Sequence, residues 1–201
     1  MSWIAMELYR HGMIKIGSFK LSSGIDSPFY IDLRRLYSYP ELARRVVAEL
    51  LARVPLGDVD VVAGVESAGM PLAAYISCLT LKPMAYVRKE RKDHGTALAV
   101  EGDVRGMKVA VVDDVATTGA SLTKAVHYLR EAGGIPVKAV VIVDREQGAR
   151  EALSKLGIEL YALVKASEIF DFLYKAGLIS TEDYSKITSY LAGFKAVQAS
   201  V

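Results

Sequence analysis

Residues 109–121, with the sequence VAVVDDVATTGAS, constrain the fold of this chain more than any other stretch. The first four residues are apolar, which predicts a strand buried on both faces, as in a parallel sheet. Two adjacent carboxylates follow, and we expect them where the strand leaves the core. A turn of small and hydroxyl-bearing residues then leads into an amphipathic run over 122–129 that is typical of a helix. Because this order aims backbone N–H groups and a helix dipole at a phosphate, the stretch predicts an anion site.

The same alternation of strands and helices runs through most of the chain. Apolar runs predict strands at 59–64, 84–88, 137–143 and 158–164. Amphipathic runs predict helices at 38–54, 68–79, 147–156, 167–176 and 181–194. The pattern indicates an α/β fold, a doubly wound and mostly parallel sheet flanked by helices. At 201 residues, with no linker or internal repeat, we expect a single domain over 1–201.

Residues 1–37 depart from this alternation. Their apolar residues have a mostly helical spacing over 2–16, and Gly17 is the expected end of that helix. Short extended segments are predicted at 19–21 and 29–33, with a polar turn between them. We expect this part of the chain to form a small N-terminal hood over the anion site.

Composition narrows the class of partner. The net charge of +2 gives no argument for binding to nucleic acid or to a membrane surface. No apolar run approaches the length that spans a bilayer, and the N-terminus lacks the pattern of a signal peptide. The single cysteine, Cys78, rules out an internal disulfide and lies in an apolar run where we expect it to be buried. We therefore expect a soluble, cytoplasmic protein that binds neither nucleic acid nor membrane.

Residues 65–73, with the sequence VESAGMPLA, also follow a predicted strand and open a predicted helix. We call this stretch the second phosphate loop and residues 117–121 the first phosphate loop. Gly69 followed by Pro71 favours free N–H groups and a preset backbone at the helix start. Taken alone, the stretch would more often be an ordinary turn. Beside the first phosphate loop, it predicts a second anion site.

Residues 88–95, with the sequence RKERKDHG, gather four cations and a histidine. Such a charge run is usually a solvated surface. This one lies in a polar loop over 89–103 that is unusually long for a compact domain, and Gly95, Gly102 and Gly106 leave the segment free to move. We therefore expect a mobile loop over 89–103 whose cations bind a multiply charged anion.

Residues 109–121 resemble the signature of type I phosphoribosyltransferases, which bind 5-phosphoribosyl 1-pyrophosphate (PRPP). Three further stretches narrow the resemblance to orotate phosphoribosyltransferases. They are FKLSSGIDSP at 19–28, the basic run at 88–95 and VDREQGA at 143–149. The resemblance covers nearly the whole chain. In this family the second phosphate loop binds pyrophosphate and often contains a non-proline cis peptide, a feature to look for here.

The resemblance implies a role for each matching residue. Asp113 and Asp114 would accept hydrogen bonds from the ribose hydroxyls, and together with Lys92 they form the implied catalytic set. Thr117 and Arg145 would bind orotate, with the guanidinium pairing as a fork with the orotate carboxylate. The implied PRPP-binding residues are Arg88, Lys89, Lys92, His94, Asp113, Asp114, Val115, Ala116, Thr117, Thr118, Gly119, Ala120 and Ser121.

The implied reaction transfers the 5-phosphoribosyl group from PRPP to orotate, giving orotidine 5′-monophosphate and pyrophosphate in pyrimidine (UMP) synthesis. An oxocarbenium-like transition state needs charge stabilisation, positioning and exclusion of water, and no covalent nucleophile. Mg²⁺ is the implied cofactor, held mainly by substrate and water, so we expect no metal site built from protein side chains. The resemblance also implies a homodimer whose mobile loops reach into the neighbouring subunit's site.

This chain departs from the family pattern at two places. Many relatives have a lysine before the Ser-Gly of the first matching stretch, where this chain has Ser22. Lys20 shares that face of a strand, and whether it substitutes is left open. Some relatives have a Tyr-Lys pair in the second phosphate loop, where this chain has Ser67 and Ala68, so cations must come from elsewhere. Tyr30 either flanks the base or packs as a half-buried ring.

Three other functions compete with this interpretation. A purine or uracil phosphoribosyltransferase would keep the fold and change the base, but the Arg-Lys-Glu and Asp-Arg-Glu stretches favour orotate. A PRPP-sensing regulator would bind nucleic acid, but the N-terminal stretch is too short for a winged helix and the net charge is weak. Half of a fused bifunctional protein is the third option, and we expect no second domain. A separate decarboxylase then remains as an alternative partner.

Overall fold

The structure, a computed structural model, describes residues 2–20, 26–90 and 99–199, with side chains described over 3–20, 26–90 and 99–194. The strands are β1 (Ile14–Lys20), β2 (Asp26–Ile31), β3 (Val61–Val65), β4 (Met84–Val87), β5 (Val100–Glu101), β6 (Lys108–Ala116), β7 (Ile135–Asp144) and β8 (Glu159–Lys165). The helices are α1 (Ser2–Arg10), α2 (Pro40–Leu51), α3 (Gly69–Thr80), α4 (Ala120–Glu131), α5 (Ala149–Ser154), α6 (Ala166–Lys175) and α7 (Thr181–Ala199), with a 3-10 helix at Leu33–Ser38.

A six-stranded sheet in the order β5-β4-β3-β6-β7-β8 organises the molecule. All neighbours pair in parallel except β4 and β5, which are antiparallel. The strand order reverses direction between β3 and β6, which are joined by the intervening α3, β4 and β5. That reversal leaves a crevice at the carboxyl ends of these two strands, where open α/β sheets bind ligands. The predicted doubly wound, mostly parallel α/β sheet is confirmed.

Both faces of the sheet are covered by apolar packing. On β6, Ala110 and Val112 belong to one apolar cluster, with α2, α3, α6 and the hood, while Val109 and Val111 belong to a second cluster with α4 and α5. All four side chains are fully buried. Each buried valine contributes roughly 1.5–3 kcal/mol relative to an exposed one, so the Val-rich run keeps β6 at the centre of the sheet.

The N-terminal part forms a separate two-stranded sheet from β1 and β2. The helix predicted over 2–16 is wrong in its second half: α1 ends at Arg10, and Gly12, at φ +66°, turns the chain into β1. Met13, just before β1, and Ile14, its first residue, are buried, so their apolar character serves the packing of the hairpin and not a longer helix. The hairpin is fastened by Phe29, whose ring centroid lies 4.6 Å from that of Phe170 on α6.

Two local expectations, the start of α2 and the burial of Cys78, are corrected by the structure. The helix predicted to open at Ser38 begins at Pro40, because the preceding residues form the 3-10 helix. Helix α7 is capped by Ser180, whose hydroxyl accepts the Asp183 N–H at 3.0 Å. Cys78 is exposed on α3. Apolar composition alone did not reveal which face of that helix packs on the sheet.

The loop predicted over 89–103 is shorter in its described part, because Val100 and Glu101 form β5 against β4. The Arg88 N–H donates to the Ala99 carbonyl at 2.8 Å, which brings the two ends of the intervening segment together. Residues 91–98, and with them Lys92 and His94, lie outside the described residues. Among the described helices, none combines the length and apolar character that crossing a membrane requires.

Candidate active site

A cleft of about 590 Å³ opens at the carboxyl edge of the sheet. It brings both phosphate loops, the acidic pair, Lys89 and Arg145 together. The hood closes it from one side. The lining residues are Lys20, Tyr30, Ile31, Asp32, Arg34, Glu66, Ser67, Ala68, Lys89, Asp113, Asp114, Val115, Ala116, Thr117, Thr118, Gly119, Ala120, Ser121, Leu122 and Arg145.

The acidic pair lies inside β6 and not beyond its end, because the strand continues to Ala116. Asp113 Oδ1 accepts the Asp114 N–H at 2.9 Å, and Asp114 Oδ1 accepts the Val115 N–H at 2.8 Å. These bonds orient two half-buried carboxylates at the floor of the cleft. Burial raises the pKa of both groups, and the charge of Asp114 raises the pKa of Asp113 further. A donor of hydrogen bonds, such as a sugar hydroxyl, would satisfy such a pair.

The first phosphate loop contains Gly119, which immediately precedes α4 and has φ +84°. A Cβ atom at this position would lie 2.9 Å from Ala149 Cα, so the loop packs directly on the start of α5. Because glycine has no capping side chain, the first N–H groups of α4 remain available to a ligand. Together with the dipole of this twelve-residue helix, they favour an anion beside Ala120 and Ser121.

The second phosphate loop reaches the same cleft because two glycines allow close packing. A Cβ at Gly69 would lie 2.3 Å from the Val112 carbonyl oxygen and 3.0 Å from Asp113 Cα. A Cβ at Gly64 would lie 2.7 Å from the Gly69 carbonyl oxygen. The first turn of α3 therefore rests on β6 next to the acidic pair. The Glu66–Ser67 peptide in this loop is cis, the feature that the family resemblance suggested.

Arg145 is 3% exposed yet lines the cleft. Its Nη2 donates to Ser27 Oγ at 3.1 Å, its guanidinium carbon lies 4.5 Å from the Phe29 ring centroid, and its Nε has no hydrogen-bond partner among the described residues. Burial lowers its pKa. No carboxylate of the described part of the chain forms an ion pair with it, so a ligand carboxylate would relieve a buried, uncompensated charge.

The cations of the basic run are not all placed together. Lys89 lines the cleft, and its charge partly offsets the effect of burial on the pKa of Asp113. Arg88 instead lies with its Nη1 3.6 Å from Glu101 Oε1, across the β4–β5 pair, and is not among the lining residues. The predicted roles of Lys92 and His94 concern positions outside the described residues and stay predictions.

The hood contributes an ion pair that was not predicted from the sequence. Arg34 Nε donates to Asp32 Oδ1 at 2.7 Å and its Nη2 to Asp32 Oδ2 at 2.9 Å, while the same Nη2 lies 3.4 Å from the Tyr30 hydroxyl. The hydrogen bonds to Asp32, together with its negative charge, raise the pKa of Arg34, and all three residues line the cleft. The alternation along β2 offered a signal for this group, since it would place residue 32, the first residue beyond the strand, on the same face as Tyr30. Lys20, which was left open, also lines the cleft.

Comparisons with known proteins agree with this geometry. Residues 38–156 match the family model of the phosphoribosyl transferase domain. The orotate phosphoribosyltransferase of Staphylothermus marinus is 48% identical to this chain over 188 residues, which cover 94% of this chain and 93% of the relative. The matched family range contains both phosphate loops, Lys89 and Arg145, whereas the hood precedes it.

Two solved structures are also similar. The crystal structure of orotate phosphoribosyltransferase from Aeropyrum pernix has a TM-score of 0.79 at 40% identity, over 88% of this chain and 99% of that one. The structure of UMP synthase from Leishmania donovani has a TM-score of 0.84 at 33% identity, over 96% of this chain and 42% of that longer chain. The likeness to both extends beyond the family range, because each covers more of this chain than residues 38–156.

Proposed function

Since this chain belongs to the orotate phosphoribosyltransferase family, we propose that its cleft holds PRPP and orotate side by side. The family's reaction transfers the 5-phosphoribosyl group from PRPP to orotate, giving orotidine 5′-monophosphate and pyrophosphate in pyrimidine (UMP) biosynthesis. The observation that carries the placement of substrates is Arg145, a buried cation without a carboxylate partner among the described residues. It lines the same cleft as the acidic pair and the first phosphate loop.

PRPP would occupy the cleft with its three parts on three features. The 5-phosphate lies on the first phosphate loop and the start of α4, where N–H groups and the helix dipole favour an anion. The ribose hydroxyls donate to Asp113 and Asp114. The pyrophosphate lies against the second phosphate loop, with Lys89 as a cation from the described residues. Arg88, Lys92 and His94 complete this proposed set on the strength of the family resemblance.

Orotate would lie between the first phosphate loop and the hood. Arg145 pairs with its carboxylate through two N–H groups, and Thr117 contacts the ring. Tyr30 flanks the base from the hood. No carboxylate among the described residues pairs with Arg145, so only a ligand that brings its own carboxylate can satisfy this guanidinium. Uracil and purines lack a carboxylate, and the contact therefore favours orotate over them.

The protein's part in the reaction is positioning and electrostatic stabilisation. The bond between the anomeric carbon and the pyrophosphate oxygen breaks as the orotate ring nitrogen bonds to that carbon, with inversion. The ribosyl group carries positive charge at the transition state, and the acidic pair stabilises it through the ribose hydroxyls. Lys89 and the helix N-terminus stabilise the charge on the departing pyrophosphate and on the 5-phosphate.

Mg²⁺ fits this site as an ion bound mainly by substrate. Among the described residues, no group of three or more His, Cys, Asp or Glu side chains could hold a metal by itself. The acidic pair supplies carboxylate oxygens, which suit Mg²⁺ as occasional partners of an ion that keeps several waters. When bound, the ion would neutralise charge on the pyrophosphate.

We further propose that the enzyme is a homodimer, because the family resemblance implies one. We also propose that it is cytoplasmic, because a chain with a single cysteine fits a reducing compartment.

The direct test mixes the protein with PRPP, Mg²⁺ and orotate and follows the loss of orotate absorbance. A panel with uracil, hypoxanthine and adenine in place of orotate distinguishes the nearest alternative functions. Of the four bases, we expect only orotate to be consumed. Consumption of a different base, or none, would contradict the proposed substrate.

A further inference from the structure

The backbone of Lys89 is held by side chains from both phosphate-binding regions. Its N–H donates to Glu66 Oε2 at 2.9 Å, and its carbonyl accepts a hydrogen bond from Lys124 Nζ at 2.5 Å. Glu66 belongs to the second phosphate loop. Lys124 lies on α4, which begins at the first phosphate loop. One residue at the exit of β4 is therefore tied to both anion-binding regions.

The backbone before Lys89 is fixed by the sheet. The Glu66 N–H donates to the Val87 carbonyl at 2.8 Å, and the Arg88 N–H donates to the Ala99 carbonyl, also at 2.8 Å. Lys89 is exposed and is the first residue beyond these backbone bonds. The N–H and carbonyl of Lys89 are instead held by the side chains of Glu66 and Lys124. These two contacts therefore set the direction in which the Lys89 side chain projects.

The direction of Lys89 matters because the second phosphate loop has no cation of its own. Residues 65–73 contain no lysine, arginine or histidine, and Glu66 brings a negative charge to the cleft. The Lys89 side chain lines the cleft and lies close enough to Asp113 to act on its pKa. A lysine side chain loses considerable rotamer entropy when it is held against a ligand. A backbone that is already fixed leaves less entropy to lose on binding.

We propose that Glu66 and Lys124 are positioning residues that fix the Lys89 peptide, so that its ammonium group faces the pyrophosphate end of the cleft. This inference rests on the proposed function for the identity of the anion. Glu66 holds the N–H and Lys124 the carbonyl. Neither residue needs to touch the substrate, because each acts through the backbone of Lys89.

The test measures binding of inorganic pyrophosphate with Mg²⁺ by calorimetry, without orotate. Lys124→Met keeps the length of the side chain and removes its donor, and we expect about three- to tenfold weaker binding, the usual worth of such a hydrogen bond. Lys124→Arg, which can still donate, should bind within about twofold of the unchanged chain. Lys155→Met is the control for lost charge, since Lys155 is not among the residues that line the cleft.

A double variant separates positioning from a general effect. In a Lys89→Ala background, Lys124→Met should cause no further loss, because the side chain that it positions is gone. Equal losses in both backgrounds would overturn the proposal, as would unchanged binding by Lys124→Met or an unchanged chain that binds no pyrophosphate. Thermal unfolding should stay within about 2 °C for Lys124→Met, because the substitution is on the surface.

A pair of substitutions tests the other side of the peptide. Glu66→Gln keeps an oxygen that accepts the Lys89 N–H and removes a negative charge from an anion site, whereas Glu66→Ala removes both. We expect Glu66→Gln to bind pyrophosphate at least as tightly as the unchanged chain and Glu66→Ala to bind more weakly than Glu66→Gln. Equal binding by the two variants would overturn the role of Glu66. A chain that binds pyrophosphate but does not consume orotate would contradict only the proposed function.

Discussion

The carboxyl group of Asp113 is half-buried beside Asp114, and burial together with that neighbouring charge raises its pKa well above the ordinary value of 3.8. A raised pKa means that the folded chain holds this proton more tightly than the unfolded chain. The free energy of unfolding therefore falls as the pH rises from the ordinary value towards the raised one, and the cost persists above it. Asp113 thus lowers stability at neutral pH in return for its place in the site.

Replacing Asp113 with asparagine should expose this cost. Asn keeps a side-chain oxygen for the Asp114 N–H and cannot ionise. We expect Asp113→Asn to unfold a few degrees higher than the unchanged chain at about pH 7.5 and to show little difference at about pH 4, since 1 kcal/mol corresponds to roughly 2–4 °C in a chain of this size. Calorimetric scans at the two pH values measure the difference, and a variant no more stable at the higher pH would contradict the assignment. Turnover should fall by orders of magnitude.

Arg145 allows a sharper test of the acceptor site. Arg145→Lys keeps the charge and loses the planar fork, so the KM for orotate should rise roughly 100-fold, as for the loss of a charge-assisted bidentate contact. The affinity for PRPP, measured by calorimetry without orotate, should stay within about twofold, because this arginine is not part of the proposed PRPP site. Equal weakening of both substrates would argue against a specific orotate contact.

The residues that were predicted from sequence lie in contiguous motifs. Asp113, Asp114 and Gly119 belong to one such stretch, in which the order of strand, acidic pair, turn and helix is enough to predict an anion site. The contact from Lys124 to the Lys89 carbonyl spans 35 positions and depends on how α4 lies against the exit of β4. The ion pair of Asp32 and Arg34 could not be assigned to the site from the sequence, because its place in the cleft depends on how the hood packs. Such side chains obtain their role from packing.

At the scale of elements, the approach of α3 to β6 decides whether the second phosphate loop reaches the acidic pair. Gly69→Ala places a Cβ against backbone atoms that cannot move aside cheaply. We expect a loss of about 1–3 kcal/mol in the free energy of unfolding, the usual cost of overpacking, together with at least tenfold weaker PRPP binding. Chemical denaturation and calorimetry measure the two quantities.

A matched control for that substitution is Gly57→Ala, since a Cβ at Gly57 meets no atom within 4 Å. Its effect on stability should stay within about 0.5 kcal/mol, as for an ordinary surface change. If the two variants behaved alike, the close approach of α3 to β6 would not be the cause of the loss.

Element types were predicted better than element ends. The strand and helix of the first phosphate region were predicted because β6 is apolar on both faces and α4 is amphipathic. The helix predicted over 2–16 was wrong in its second half because Met13 and Ile14, buried at the start of the hairpin, continue the apolar spacing of α1. The turn at Gly12 was not distinguished from a helix interior. The start of α2 was misplaced by two residues, since a 3-10 helix satisfies the same local preferences as an α-helix.

At the scale of the whole molecule, the proposed homodimer with shared sites makes a prediction that a monomer cannot meet. A Lys92→Ala chain and an Asp114→Asn chain should each be nearly inactive alone. If the loop of one subunit serves its neighbour, mixed dimers contain one site with both groups intact, and mixing should restore up to roughly a quarter of the activity per chain for random pairing. Activity assays after mixing, with hybrids verified by mass spectrometry, measure the outcome, and inactive hybrids would contradict sharing.

The global architecture followed from the sequence because its strands alternate with helices and carry apolar residues on both faces. That pattern leaves few alternatives to a doubly wound sheet, and the crevice at its carboxyl edge comes with the topology. The arrangement of the hood did not follow in the same way. Its packing on the rest of the protein depends on the contact between Phe29 and Phe170, which are far apart in the sequence. No local sequence pattern predicts such a contact.

The position of Arg145 under the hood has an evolutionary consequence. The range shared with the wider phosphoribosyl transferase family, 38–156, contains this arginine and both phosphate loops, but Ser27 and Phe29, which contact its guanidinium, lie outside that range. The arginine and the two side chains that hold it are thus encoded in separate parts of the gene. If Arg145 binds the nucleobase as proposed, mutations in the codons for Ser27 and Phe29 would change how this arginine is held while both phosphate loops stay unchanged.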